Sequence, residues 1–329
     1  MSTACAVALI TMPVDLNRLQ TGPAERLLPP NMSAAGSRHL AELRSIGFTV
    51  IDAVIPAAEV AAVRDCVFRT AQEQSALLAA TDPTAKATRD RGILHLPAML
   101  NYDQSLAPYL ARPAILEVVQ AHLGMGARIT FTTSQTNLPG CKRGNWHADY
   151  PYNQSNMQRV EAPYVPGPDH SFGITTLWML SEFRPGCGTL VVPYSHLQPI
   201  NPTMPACGLH LRQFEPHPEE ISVTGKAGSV LVMDSRVWHA IPSWPSATCY
   251  PNPEPRVSVA VRFSPWWMDV ETLVPHSHER QRLLEETRKV DPAVNVGNSQ
   301  PPMPREVWNR LPDELRPLLW HRVADRPRF

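Results

Sequence analysis

The distribution of apolar and polar positions along this chain predicts short strands flanked by helices. Apolar residues at helical spacing predict helices over residues 37–44, from Pro56 onwards, and over residues 106–123, where Pro113 can break the first turns. β-branched and apolar runs predict strands at residues 48–51, 129–137, 174–183, 189–193, 228–234 and 256–263. Short strands separated by Gly and Pro are typical of a sandwich or jelly roll, so we expect a mainly β fold with flanking helices.

The sequence predicts one domain with two extensions. Residues 1–35 carry four prolines and little periodicity, which predicts an irregular N-terminal arm. Residues 36–275 are predicted to form the single β domain, buttressed by its N-terminal helices. Residues 276–329 turn polar and helical, which predicts a C-terminal helical extension of the same domain, with helices over residues 279–290 and 306–323.

Composition narrows the class of protein. Hydrophobic residues make up 43% of the 329 residues, enough for a substantial core, and the 30 basic and 30 acidic residues cancel, so nucleic acid is not an expected partner. The six cysteines form no CxxC pair, which suggests free thiols in a reducing cytosol. The apolar start at residues 4–12 lacks a preceding Lys or Arg, and no run reaches the ~18 apolar residues of a membrane span. We therefore expect a soluble cytoplasmic protein without a membrane partner.

A histidine and an aspartate lie one residue apart in the segment of residues 145–150. On an extended segment, His147 and Asp149 point to the same face, so one imidazole nitrogen and one carboxylate oxygen can reach a single metal ion. His239, 239 − 147 = 92 residues downstream, would complete a set of two histidines and one carboxylate. That set leaves open positions and suits non-haem Fe(II) oxygenase chemistry. The HxD spacing alone also arises by chance in a chain with 12 histidines.

Four blocks of sequence occur in an order that matches a known family. They are the helix-strand-helix pattern at residues 37–75, the segment at 146–149, the turn at 187–196 and the segment at 234–239. The turn resembles the signature of the phytanoyl-CoA dioxygenase (PhyH-like) superfamily that ends in Pro-Gly-Ser-His, with Tyr194 in place of that glycine. The resemblance covers residues 38–268 and implies a double-stranded β-helix core (jelly roll, cupin-like) that binds Fe(II), with 2-oxoglutarate and O2 as co-substrates.

The resemblance also implies roles for individual residues. His147, Asp149 and His239 match the iron ligands, which form the catalytic centre. Arg256 matches the arginine that pairs with the distal carboxylate of 2-oxoglutarate, and a guanidinium suits that task because it binds a carboxylate at two points. Arg262, on the same strand face by alternation, is the alternative partner. The spacing of 256 − 239 = 17 residues, with five prolines in between, is longer than the family leads us to expect.

Three further residues are matched to the co-substrate pocket. Trp178 matches a tryptophan that lines this pocket in the family, although a tryptophan in a strand is more often a core residue. Asn137 matches a polar contact of 2-oxoglutarate, and Thr133, on the same strand face, is a candidate further contact. His196 and Asp234 are instead expected to be structural.

The resemblance implies a dioxygenase that hydroxylates or otherwise oxidises an unactivated C–H bond and releases succinate and CO2. Asp149 argues against halogenation, because a small residue takes its place in the related halogenases. The absence of a basic patch for a CoA phosphate favours a small organic molecule of specialised metabolism as the substrate. Loops at residues 150–170 and 197–226 are expected to form its lid and walls. Their aromatic residues include Tyr150, Tyr152, Tyr164 and Phe214.

Two other functions stay open at this point. A cupin-like binding or regulatory protein would keep the barrel without turnover, although it would have no use for the full set of ligand-type residues together with Arg256. A zinc hydrolase with the same ligands would need a general base, for which Glu182 is the candidate acid. The protein is expected to be a monomer or a homodimer.

Overall fold

The computed structural model describes most of the chain from residue 32 onwards. The described ranges are residues 32–149, 171–198, 202, 212–243, 254–268 and 300–325. Most of the predicted N-terminal arm, the loop at residues 150–170 with its three tyrosines, part of the loop at residues 197–226 and the predicted helix at residues 279–290 lie outside the described residues. The proposed domain boundaries stay predictions.

Helices precede the first strand, connect several strands and recur near the end of the described chain. They are α1 (Ala34–Ile46), α2 (Ala57–Thr81), α3 (Pro83–Asp90), α4 (Ala107–Leu110), α5 (Pro113–Leu123), α6 (Arg305–Arg310) and α7 (Arg316–Leu319). The Ser33 hydroxyl caps α1 by accepting a hydrogen bond from the Gly36 N–H, and the helix ends at Gly47, whose φ of 96° favours glycine. None of the described helices combines the length and the apolar character needed to cross a bilayer.

Proline divides two of the predicted helices. The helix predicted over residues 106–123 is two helices, α4 and α5, because Arg112 precedes a proline and has an extended backbone (ψ 137°). The prediction of one helix over residues 306–323 is wrong for the same reason. The segment is divided into α6 and α7, because Leu311, which precedes Pro312, has a ψ of 152°.

Nine strands form two antiparallel sheets within the described ranges. They are β1 (Phe48–Ile51), β2 (Ile93–Pro97), β3 (Arg128–Asn137), β4 (Ile174–Met179), β5 (Leu190–Val191), β6 (Ile221–Ser222), β7 (Val230–Asp234), β8 (His239–Ala240) and β9 (Arg256–Ser264). The larger sheet has the order β1-β7-β4-β9-β3-β2, and the smaller sheet has the order β6-β5-β8. A bridge between His147 and His239 extends the smaller sheet. These sheets form a jelly roll, so the predicted mainly β double-stranded β-helix with flanking helices is confirmed.

Alternation along the strands gives the larger sheet two different faces. The odd-numbered valines of β9 join residues of α1, α2 and α5 in the main hydrophobic core. On the opposite face, Leu177 and Met179 of β4 belong to a second apolar cluster with Val191 of the smaller sheet. The even-numbered residues of β9, Arg256 and Arg262 among them, therefore face the space between the two sheets.

The chain after residue 300 covers an otherwise open edge of β3. β2 pairs only with residues 133–137 of this strand, which leaves the edge of its first half without a strand partner among the described residues. The Gln300 amide bonds both the N–H and the carbonyl of Thr132, at 3.1 and 3.2 Å, and Arg322 donates to the Thr130 carbonyl at 2.8 Å. These side chains take the place of a neighbouring strand and protect the edge from pairing with another chain.

Candidate metal centre

His147 and His239 lie opposite each other at the edge of the smaller sheet. Their backbones exchange two hydrogen bonds, from the His147 N–H to the His239 carbonyl (3.0 Å) and from the His239 N–H to the His147 carbonyl (2.9 Å). Residues paired in this way place their side chains on one face of the sheet. The two ring centroids are 4.2 Å apart, so β pairing brings together histidines that are distant in the sequence.

The tryptophan before each histidine faces the other side of the smaller sheet. Trp146 and Trp238 are buried in an apolar cluster with Leu190. Because side chains alternate along an extended segment, burial of each tryptophan on one side turns the following histidine towards the other. The repeated Trp-His pair in the sequence thus sets the direction of both imidazoles.

Asp149 completes the cluster of candidate ligands. Its Oδ1 lies 4.0 Å from His147 Nε2, and its Oδ2 lies 3.8 Å from His239 Nε2. Two ligands that are each about 2.1 Å from one ion can be at most ~4.2 Å apart, so each histidine nitrogen and the Asp149 oxygen nearest to it lie within the span of one metal ion. The Asp149 side chain is 2% exposed, whereas that of His147 is 36% exposed, so the cluster is open on the histidine side. The structure brings all three predicted metal ligands together.

Backbone carbonyls orient both imidazoles. Nδ1 of His147 lies 3.0 Å from the Asn145 carbonyl, and Nδ1 of His239 lies 2.9 Å from the Val237 carbonyl. A carbonyl can only accept, so each Nδ1 carries a proton, and Nε2 is the nitrogen of each ring that is left to bind a metal. Burial, together with the neighbouring His239, lowers the pKa of His147 to about 4, which keeps this ring neutral at physiological pH.

Asp149 is held in its ionised form by its surroundings. Burial would raise the pKa of its carboxyl group, but the Arg262 guanidinium, the two imidazoles and the Thr175 hydroxyl outweigh that effect and hold the pKa well below its usual range. Thr175 Oγ1 donates to Asp149 Oδ2 at 2.6 Å, and Arg262 forms an ion pair with Oδ1. The site therefore presents one carboxylate and two imidazole rings, a donor set that suits Fe(II) and leaves coordination positions open.

Arg256 is a second polar group in the space between the sheets. Its side chain is buried, stacks over the Phe183 ring at 4.1 Å and donates from Nη2 to Thr189 Oγ1 at 3.0 Å. Its Nε and Nη1 atoms are buried and make no hydrogen bond to the described residues. Burial lowers the pKa of Arg256 to about 10, so it remains a cation at neutral pH. Because a buried cation without an anion is unfavourable, these atoms fit a carboxylate ligand.

A family model agrees with this geometry. The model of phytanoyl-CoA dioxygenase (PhyH) matches residues 43–241, a stretch that contains all three candidate ligands. The chain belongs to the phytanoyl-CoA dioxygenase family. The resemblance inferred from four sequence blocks is therefore confirmed.

Two relatives match this PhyH family member in sequence over part of their length. The uncharacterized proteins Mb1539 of Mycobacterium bovis and Rv1501 of Mycobacterium tuberculosis are each 26% identical over 206 residues. The matched stretch covers 60% of this chain and 66% of each relative, just under two thirds of their length.

Solved structures of similar fold include two proteins with 2-oxoglutarate bound. HygX from Streptomyces hygroscopicus, with nickel and 2-oxoglutarate, is 16% identical with a TM-score of 0.49, and the match covers 70% of this chain and 87% of HygX. EctD from S. alaskensis, with 2-oxoglutarate and 5-hydroxyectoine, is 20% identical with a TM-score of 0.47, and the match covers 71% of this chain and 76% of EctD.

Two of the three further residues predicted to contact 2-oxoglutarate lie on the same face of the larger sheet as Arg256. Asn137 on β3 is directly paired with Arg256 on β9, and its amide donates to Cys141 Sγ at 3.3 Å. Thr133 is paired with Ala260, but its hydroxyl accepts a hydrogen bond from Gln300 at 2.9 Å. Asn137 is thus the strand neighbour of Arg256, whereas the Thr133 hydroxyl is already bonded to the C-terminal segment.

Trp178 is not brought to this site. It is fully buried in the main core that the helices cover, and its indole N–H donates to Thr176 Oγ1 at 3.1 Å. Its strand neighbours Leu177 and Met179 belong instead to the cluster between the two sheets. The predicted co-substrate contact of Trp178 is incompatible with this position, because alternation places its side chain on the opposite face from Arg256.

The structure adds Thr175, His95 and Gln135 to the site and pairs Arg262, the alternative co-substrate partner, with Asp149 instead. Thr175 and Arg262, both bonded to Asp149, are direct partners across β4 and β9. His95 on β2 is paired with Gln135 on β3, both are partly accessible, and alternation directs them into the space between the sheets. Only strand register could have located these residues, and the sequence does not show which strands are neighbours.

Local hydrogen bonds explain the two residues that were expected to be structural. Asp234 Oδ1 accepts from both the N–H and the Nε of Arg236, at 2.9 Å each, which braces the turn before β8. His196 Nε2 lies 3.2 Å from the Arg44 carbonyl and links the turn at residues 187–196 to α1. Tyr194, in place of the family glycine, has a φ of 65° and so adopts the left-handed conformation that glycine favours.

Proposed function

We propose that the protein is an Fe(II)- and 2-oxoglutarate-dependent dioxygenase that oxidises an unactivated C–H bond of a small organic molecule. The observation that carries this proposal is the convergence of His147, Asp149 and His239 on one point, open to the outside on the histidine side. Membership of the phytanoyl-CoA dioxygenase family supports the same reaction class. The coordination chemistry agrees, because this ligand set is the facial triad of non-haem iron oxygenases.

In this proposal, each described residue has a defined task. His147, His239 and Asp149 hold the metal through Nε2, Nε2 and a carboxylate oxygen. Iron held there, together with 2-oxoglutarate and O2, supplies the oxidising power that converts a C–H bond to C–OH with release of succinate and CO2. Arg256 binds the distal carboxylate of 2-oxoglutarate through Nε and Nη1, which make no hydrogen bond to the described residues, and Asn137 is its neighbour on the adjacent strand.

The proposed substrate is a small molecule of specialised metabolism. Support comes from the zero formal net charge of the chain, which offers no general attraction for polyphosphate or nucleic acid. His95 and Gln135 add a neutral imidazole and an amide to the inner wall, and burial lowers the pKa of His95 to about 4. Such groups suit hydrogen bonds to a neutral polar substrate. The cytoplasmic location and a monomeric or homodimeric state stay predictions.

The two other functions receive less support. Glu182, the acid nominated as a general base for a zinc hydrolase, is half exposed and bonded to Arg184 at 3.0 Å. A cupin-like binding protein without turnover would not need a facial triad together with a buried guanidinium, two nitrogens of which have no partner in the described part of the chain. A turnover assay separates the oxygenase from both.

Turnover of a candidate substrate is expected to consume 2-oxoglutarate and substrate in equal amounts. The protein is supplied with Fe(II), 2-oxoglutarate, ascorbate and single compounds from a panel of small neutral metabolites. Mass spectrometry then measures succinate and any product heavier by one oxygen atom. Succinate that rises with one compound, together with the oxidised product, supports the proposal. A panel that yields oxidised product without 2-oxoglutarate, or hydrolysis products instead, contradicts it.

A further inference from the structure

Arg262 occupies a position that the proposed mechanism does not yet use. Its guanidinium pairs with Oδ1 of Asp149, while Thr175 Oγ1 donates to Oδ2 at 2.6 Å. Both carboxylate oxygens of the candidate ligand are therefore engaged by the protein itself. The pair is well shielded from water, since the side chains of Arg262 and Asp149 are 13% and 2% exposed.

Strand register fixes Arg262 from both sides. On β9, Arg262 is the direct partner of Phe131 on β3 and of Thr175 on β4, so the three residues form a row across the larger sheet. The guanidinium stacks over the Phe131 ring at 4.3 Å, a cation–π contact that holds its plane. The strand pairing and the aromatic contact thus hold the Arg262 guanidinium in a fixed position next to Asp149.

The two oxygens of Asp149 differ in their surroundings. Oδ1 is paired with the charged guanidinium and lies 4.0 Å from His147 Nε2. Oδ2 accepts one hydrogen bond from the neutral Thr175 hydroxyl and lies 3.8 Å from His239 Nε2. A carboxylate oxygen has two lone-pair sites, so Oδ2 can accept from Thr175 and still bind a metal. Oδ1 is the poorer ligand, because an ion there would share the oxygen with another cation.

We propose that Arg262 is a positioning residue that makes Asp149 a single-oxygen metal ligand. It binds Oδ1, directs Oδ2 towards His239 Nε2 and prevents the carboxylate from chelating through both oxygens. One coordination position that bidentate binding would occupy thereby stays available for co-substrate. This inference rests on the proposed metal site, and it assigns Arg262 a role distinct from that of Arg256.

Cobalt(II) titration of the full-length protein tests this role without any substrate. Visible absorption of Co(II) reports both its affinity and its coordination number, because the bands weaken as ligands are added. Relative to the wild type, Arg262→Met is expected to bind Co(II) about 10- to 100-fold more weakly, the usual effect of removing an outer hydrogen-bond partner of a ligand. The bound ion is also expected to absorb less, since both Asp149 oxygens can then coordinate.

Two comparisons make the result decisive. Arg112→Met removes an exposed arginine that also stacks on an aromatic ring, Tyr109, and should leave affinity and spectrum unchanged. If Arg262→Met does not fold, Arg262→Lys carries the test, because an ammonium keeps the charge but loses the planar fork, and several-fold weaker binding with an altered spectrum is expected. Wild-type affinity and spectrum in folded Arg262 variants, or tighter binding, would overturn the inference. Failure of the wild-type protein to bind Co(II) would instead refute the metal site itself.

Discussion

Asp149→Ala is expected to lower the affinity for Fe(II) by at least about 100-fold, because loss of outer partners alone costs about 10- to 100-fold. The substitution removes the one charged ligand from between two imidazoles. It also takes the carboxylate away from Arg262, so the metal-free protein should lose about 3–5 kcal/mol of unfolding free energy, as when one partner of a buried ion pair is removed. Anaerobic equilibrium dialysis with iron analysis measures the first effect, and urea unfolding measures the second.

Two variants separate loss of a ligand from loss of structure. Asp149→Asn keeps the side-chain volume and an oxygen that can accept from Thr175, so it should fold better than Asp149→Ala while still binding iron poorly. Asp65→Ala removes an exposed acid on α2 and should change neither measurement. Wild-type iron affinity in folded Asp149→Ala protein is the result that would reject Asp149 as a ligand.

Arg256→Met is expected to weaken 2-oxoglutarate binding while leaving the protein without co-substrate at least as stable as before. Charged hydrogen bonds contribute about 1.5–3 kcal/mol, so the affinity should fall roughly 10- to 100-fold. The unfolding free energy without 2-oxoglutarate should not fall, because methionine replaces a buried cation whose Nε and Nη1 have no partner among the described residues. Thermal unfolding with and without 2-oxoglutarate, in the presence of Ni(II), measures both quantities.

A loss of 2-oxoglutarate affinity without a loss of stability distinguishes a residue that binds the co-substrate from one that only supports the fold. If Arg256 only supported the fold, its replacement would lower the melting temperature equally with and without 2-oxoglutarate. Arg310→Met, at an exposed position of α6, serves as the control and should retain the full stabilisation by 2-oxoglutarate. An Arg256→Met protein that 2-oxoglutarate still stabilises to the wild-type extent would contradict the assigned contact.

The ligand cluster could be predicted from the sequence because its signals are local. His147 and Asp149 lie two positions apart on an extended segment, and His239 repeats the Trp-His pair. The same holds for the predicted strands, since long β-branched runs such as β9 need no knowledge of the rest of the fold.

The role of each residue beyond the ligands depends on strand register, which the sequence does not encode locally. The alternation of side chains along β9 correctly placed Arg256 and Arg262 on one face of the strand. Only the pairing of β9 with β4 shows that Arg262 forms an ion pair with Asp149. β2 was missed because it is only five residues long and carries a single β-branched residue, Ile93. Trp178 was matched to a pocket by alignment alone, and the alternation of its own strand places it in the helix-covered core.

Anaerobic titration of the protein with Fe(II) and 2-oxoglutarate tests the central claim most directly. The account predicts a weak visible charge-transfer band that appears only when both are present, saturates at one equivalent of each and is lost in Asp149→Ala. Iron that binds without producing this band, or a band that persists unchanged in Asp149→Ala, would contradict the proposal that His147, Asp149 and His239 form the centre of a 2-oxoglutarate-dependent oxygenase.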